Sequence, residues 1–174
     1  MKIKLKTQNF PHQRDPASGG TKLIEGVMIK ELVKNKDERG YFEELIRVTD
    51  DFFKEGFGQF SHAYMYSGVI KAWHLHKEQI DWWYMARGDI KAVLFDVRED
   101  SPTLKLLNEF YLGEHGQNII LKIPAGVAHG LKVLGNDAEL FYVTSGIYNP
   151  AEEGRLPYND PAIGYDWLKG PEIK

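Results

Sequence analysis

Between Gly68 and Gly88 the chain reads GVIKAWHLHKEQIDWWYMARG. His74 and His76 stand two apart, and Asp81 follows five residues after the second. In an extended strand, residues i and i+2 point to the same face, so the two imidazoles enter one space. Trp73, Ile80, Trp82, Trp83 and Tyr84 surround them. Such neighbours make a half-buried pocket wall, where an imidazole needs a partner. A chain that satisfies this stretch must lay it out as strand and give it an interior to face. One histidine in these surroundings reads as a structural side chain; two on one face favour a site.

The 174 residues suffice for one domain with its own core. Net charge is −3, which gives no basic footprint for nucleic acid or an anionic membrane. With no cysteine, disulfides, thiolate metal sites and cysteine nucleophiles are excluded. The first residues, MKIKLKTQNFPHQRD, lack the apolar stretch of a signal peptide. No apolar run approaches membrane-spanning length. The expectation is a soluble cytoplasmic protein.

Residues 1–20 are polar and end in Pro16-Ala-Ser-Gly-Gly20, an N-terminal arm; residues 21–174 form a single domain with an irregular tail after Tyr148. The apolar pattern of 21–32 predicts an early strand pair. Residues 41–47 alternate and predict a strand, on which Phe42 and Glu44 share a face. Residues 49–56 predict one short helix, capped by Thr49 and closed by Gly56. Further strands are predicted near 59–66, 69–76, 80–87, 89–97, 104–112, 118–123, 129–134 and 138–147. Turn signals such as Arg87-Gly88-Asp89 and Gly135-Asn136-Asp137 separate them. Many short strands at regular spacing argue an all-β sandwich or small barrel. The charged runs 34–39 and 151–155 read as solvated loops, and Trp73, Trp82 and Trp83 as core.

The histidine stretch resembles the first sequence motif of the cupins, with Asp81 where that motif has Glu. Pro124-Ala-Gly-Val-Ala-His129 resembles their second, P-x-G-x-x-H. A larger ordered set of segments resembles the dTDP-4-dehydrorhamnose 3,5-epimerase family. Asp37-Glu-Arg-Gly-Tyr-Phe-Glu-Glu44 is similar to its D-x-R-G-x-F-x-E. Gln59 and GVIKAWH are similar to its Q-x-N…G-V-x-R-G-x-H, with Ser61, Lys71 and Ala72 in place of Asn, Arg and Gly. Residues 95–102, 123–130, 140–142 and 159–167 match later segments.

That resemblance implies a cupin-type jelly roll, a homodimer with strand exchange, no cofactor, and a nucleotide-sugar substrate. It implies epimerisation beside a 4-keto group of a 6-deoxy sugar, with His74 as general base and Tyr142 as acid on the opposite face. Arg39, Phe42, Glu44 and Gln59 are implied to meet the nucleotide, Ser61 to bind the substrate as well, Lys71 to meet the phosphate or sugar, and His129 to line the sugar pocket. On residue types alone, Arg39 fits a surface turn and Tyr142 a core aromatic equally well.

Two departures change the chemistry on offer. Asp81 stands where the family has a lysine for the keto oxygen, and His76 where it has Gln. The family's later aspartate, which orients the base, finds no counterpart after Trp167. Three other functions follow from these departures. His74-Leu-His-Lys77 resembles the H-x-H-K of sugar 3,4-ketoisomerases, in which His76 joins His74 in moving protons. His74, His76, Asp81 and His129 are also a ligand set for one divalent metal ion, with Asp81 otherwise orienting a histidine or touching substrate. The last is a sugar-nucleotide binder without turnover.

Overall fold

The structure, a computed structural model, describes residues 22–170; the expected arm at 1–20 lies outside them. Among the described residues ten strands and one 3-10 turn make the regular structure, the strands being β1 (Met28–Glu31), β2 (Asn35–Asp37), β3 (Gly40–Phe42), β4 (Gln59–Met65), β5 (Ile70–His76), β6 (Asp81–Asp96), β7 (Leu107–Gly113), β8 (Ile119–Ile123), β9 (Val127–Thr144) and β10 (Glu153–Arg155). The all-β jelly roll expected from the spacing of short strands is the fold observed.

Two long strands build it. The sequence predicts a break at Gly88 and another at Gly135, yet β6 and β9 each run through their glycine. They pair antiparallel from Asp81↔Thr144 to Asp96↔Val127, with register shifts on either side of Arg87. The glycines bend the ribbon instead of ending it. Gly88 has φ +72° and Gly135 φ +68°, a region that side chains with a Cβ avoid. A Cβ on Gly88 would also stand 2.5 Å from the Asp137 carbonyl oxygen.

Because the ribbon bends, each half recruits different neighbours. The first half of β6 pairs with β8, and β8 with β1, while the last part of β9 pairs with β4. The second half of β6 pairs with β7; the first part of β9 pairs with β5, and β5 with β10. The result is two sheets of five strands that share β6 and β9. Met85 and Leu140 of the first sheet and Ile90, Leu94, Leu131 and Val133 of the second meet in one apolar core. Burial of this kind is the main favourable term in folding.

The outer faces are covered as well. Period-2 alternation sends Trp82 and Tyr84 outward, where Phe52 and Phe53 pack on Trp82. On the second sheet Trp73 meets Trp167 with ring centroids 4.9 Å apart, so the C-terminal segment closes that face. Trp73 and Trp82 are core, as expected.

Five local expectations are corrected, the first being the early strand pair of 21–32, which among the described residues is the single strand β1. The helix of 49–56 is a 3-10 turn at Asp51–Phe53. Thr49 does not cap it; Asp50 precedes it, and that carboxylate is taken by the Arg47 amide and Lys30 Nζ. The strand of 41–47 stops at Phe42 because β3 pairs only with β2. Beyond it, Leu45 and Ile46 pack on the Trp82 cluster. Neither charged run is wholly loop, since Asn35–Asp37 forms β2 and Glu153–Arg155 forms β10.

Candidate functional site

A cavity of about 300 Å³ opens between the two sheets. Its walls are set by strand geometry. From the first sheet, Asp81 and Trp83 of β6, Tyr142 and Thr144 of β9 and Gln59 of β4 face inward, each pair two apart or across a ladder. From the second sheet come Lys71, His74 and His76 of β5 and His129 of β9. Strict alternation would not let Lys71 and His74 share a face. The β5–β9 register shifts between these two residues, and such a bulge re-aims the side chains that follow it. Gly130 makes the bulge possible: a Cβ there would lie 2.9 Å from the Lys71 carbonyl oxygen and 2.8 Å from the Ala72 Cβ.

His74 sits beside His129, ring centroids 6.3 Å apart, and opposite Arg155 in the β5–β10 ladder. Burial pushes its pKa below the ordinary histidine value; the Arg155 charge adds to this, and Glu153 and Asp81 partly oppose it. A neutral imidazole has a free lone pair, the form a general base needs. Tyr142 lines the same cavity from the other sheet.

Deeper in the wall lie His76, Asp81 and His129, 8%, 4% and 3% exposed. Asp81 accepts a hydrogen bond from Gln79 Nε2 at 2.9 Å on one oxygen and from Trp83 Nε1 at 3.2 Å on the other. His129 Nδ1 lies 3.0 Å from the Val127 carbonyl oxygen, which places the proton on Nδ1 and the lone pair on Nε2. Burial holds the His129 pKa well below its usual value. His76 Nε2 and His129 Nε2 stand 3.8 and 3.9 Å from the same Asp81 oxygen.

Of the residues singled out from sequence, His74, His76, Asp81, His129, Tyr142, Lys71 and Gln59 converge on this cavity. Ser61 stands on the same side of β4 and accepts a hydrogen bond from Gln59 Nε2 at 2.8 Å. Arg39, Phe42 and Glu44 do not reach it. Arg39 closes on Asp37 in the exposed β2–β3 hairpin, Phe42 is 65% exposed, and Glu44 pairs with Arg47. Of the wall residues that sequence alone does not single out, Gln79, Thr144, Tyr148, Glu153 and Arg155 carry polar or charged groups. Glu153 and Arg155 carry a faint period-2 signal, two charges flanking Gly154, but three residues are too few to mark a strand.

The sequence profile of the dTDP-4-dehydrorhamnose 3,5-epimerase family matches residues 21–174. The spore coat polysaccharide biosynthesis protein SpsL of Bacillus subtilis is 44% identical over 148 residues, 83% of this chain and 97% of SpsL. A solved dTDP sugar isomerase from Desulfovibrio desulfuricans G20 superposes with TM-score 0.80 at 28% identity, covering 85% of this chain and 94% of its own. ChmJ, a 3'-monoepimerase from Streptomyces bikiniensis solved with dTDP-quinovose, gives TM-score 0.77 at 27% identity, over 87% of this chain and 80% of ChmJ. Sequence profile, relatives and superposed folds agree: the chain belongs to the dTDP-4-dehydrorhamnose 3,5-epimerase family of nucleotide-sugar epimerases.

Proposed function

We propose that this enzyme epimerises a dTDP-linked 4-keto-6-deoxy sugar, with His74 removing a proton from a carbon beside the ketone and Tyr142 returning one to the opposite face. The observation that carries the reading is the placement of these two side chains on facing walls of one cavity. Inversion at carbon requires removal from one side and delivery from the other, and a single wall cannot do both. A proton next to a ketone becomes acidic only when the enolate oxygen is stabilised, so the base must work beside a source of positive charge. Lys71 and Arg155 supply charge at the cavity wall. Lys71 is a point charge suited to phosphate, and Arg155 a planar fork suited to two oxygens.

The hairpin adds a second element to the proposal. For Arg39, Phe42 and Glu44 to meet the nucleotide, they must come from another copy of the chain. Tyr41 and Phe42 are 52% and 65% exposed on this hairpin, an apolar pair that a homodimer would cover. The family match favours epimerisation over 3,4-keto isomerisation.

The test is product analysis by NMR after incubation with dTDP-4-keto-6-deoxyglucose. The expected product keeps the 4-ketone and is inverted at C3, C5 or both. A 3-keto product, or substrate recovered unchanged, contradicts the reading.

A further inference from the structure

The proton chemistry proposed above gives no task to the segment 159–167, which closes the outer face of the second sheet. That segment carries Trp167, 1% exposed, directly behind the cavity wall. On β9, His129 faces the cavity, so strand alternation turns position 130 away from it. A Cβ built on Gly130 would stand 2.9 Å from Trp167 Cζ2, 2.8 Å from the Ala72 Cβ and 2.9 Å from the Lys71 carbonyl oxygen. The indole edge therefore fills the space that a side chain at 130 would take. It does so where β5 leaves its register.

The bulge is held from this outer side. Ala72 and Trp73 of β5 stand opposite the single Gly130 of β9, the residue count of a β-bulge, whose extra residue loses its ladder partner. Trp73 finds one elsewhere: its N–H donates to the Leu156 carbonyl oxygen at 3.1 Å, and its carbonyl accepts from the Leu156 N–H at 3.2 Å. Its ring lies 4.9 Å from that of Trp167 and 6.0 Å from that of Tyr165, centroid to centroid. Trp167 is anchored in turn, since Lys132 Nζ donates to its carbonyl oxygen at 2.9 Å and Lys132 pairs with Ile70 of β5. Among the described residues neither Trp73 Nε1 nor Trp167 Nε1 has a hydrogen-bond acceptor, so what the two rings contribute here is shape.

We infer that Trp167 is a positioning residue: its indole, wedged behind Gly130 and Trp73, holds the bulge that turns Lys71 and His74 into the cavity. It touches neither substrate nor reacting atoms. Neighbours partly collapse into the space left by a deleted core side chain, and here those neighbours include Trp73, next in sequence to His74. A base displaced by a fraction of an ångström loses rate even when the change lies outside the cavity. The effect on proton transfer rests on the epimerase reading; the aim of the His74 ring does not.

Two Trp167 variants and a control test this. Trp167→Leu removes the ring and Trp167→Phe keeps part of it. Tyr165→Phe breaks the hydrogen bond to Glu109 and keeps the ring contacts with Trp73 and Trp167. Unfolding midpoints show which variants are folded at the assay temperature; should Trp167→Leu fail to fold, Trp167→Phe carries the comparison. The first readout is the long-range ¹H–¹⁵N NMR spectrum of the imidazoles, with the His74 signals identified by their loss in His74→Asn. They should move in Trp167→Leu, move less in Trp167→Phe and stay in place in Tyr165→Phe. The second is solvent deuterium exchange into dTDP-4-keto-6-deoxyglucose, which should fall about tenfold to a hundredfold in Trp167→Leu, recover in part in Trp167→Phe and keep the wild-type rate in Tyr165→Phe. Unmoved His74 signals in the folded Trp167 variants, exchange at the wild-type rate in them, or equal effects from Tyr165→Phe overturn the inference. Moved signals with no exchange even in wild type keep the positioning role and remove the epimerase.

Discussion

At the scale of single residues, the proposed chemistry divides between His74, whose pKa burial lowers, and Tyr142 on the other sheet. Tyr142→Phe should therefore uncouple two events. His74 can still remove the proton and return it to the same face, so deuterium from solvent enters the sugar while inversion falls by about a hundredfold or more. NMR reads both from one sample, and parallel loss of exchange and inversion would argue against the assignment. Away from the cavity, Asp96 is fully buried. It accepts hydrogen bonds from Arg98 Nε at 2.8 Å, Ser101 Oγ at 2.5 Å and Thr103 Oγ1 at 2.6 Å. Burial alone would raise its pKa, but Arg98 and the two hydroxyls overcome this and hold it well below the carboxylate range. A depressed folded pKa contributes stability above the unfolded value of about 4, which is lost as pH falls through the folded one. Asp96→Asn should cost about 3 kcal/mol at pH 7, and urea unfolding should show that gap narrowing as pH drops below about 4.

At the scale of elements, the bulge in β5 decides what the cavity contains. Gly130→Ala forces a Cβ against the Lys71 carbonyl and Ala72. It should cost about 1–3 kcal/mol and lower activity further by turning Lys71 and His74 out of register; thermal unfolding and turnover of the same preparation check both. That bulge was not legible beforehand. Strand alternation pairs His74 with His76 correctly, because both lie beyond the irregularity, but Lys71 reached the cavity only through the family resemblance. From sequence alone, Gly88 and Gly135 read as strand ends. A positive-φ glycine marks a change of direction, and only pairing partners show whether the ladder continues through it. The 3-10 turn was expected as helix because Thr49 and the acids that follow resemble a helix start. Tertiary demands on Asp50 prevailed over that local pattern. β10 carries no strand signal of its own, because its order comes from pairing with β5 and not from its composition.

At the scale of the whole molecule, the sandwich was legible from the repeated short strands, and the meeting of His74, His76 and His129 from their spacing and the P-x-G-x-x-H loop. The hairpin was legible only as a motif, since nothing in one chain shows where Arg39, Phe42 and Glu44 are used. If a second copy uses them, light scattering should give a dimer. Phe42→Asp should then shift it toward monomer and raise KM more than it lowers kcat; a wild-type monomer with full activity would refute that arrangement. The central claim is that the two sheets bring a base to the carbon beside the ketone. Deuterium incorporation from D₂O into dTDP-4-keto-6-deoxyglucose, measured by NMR for wild type and His74→Asn, tests it most directly. Wild type should carry deuterium at the inverted carbon, and His74→Asn should lose it by about a hundredfold or more. Exchange at the wild-type rate in His74→Asn would contradict the account.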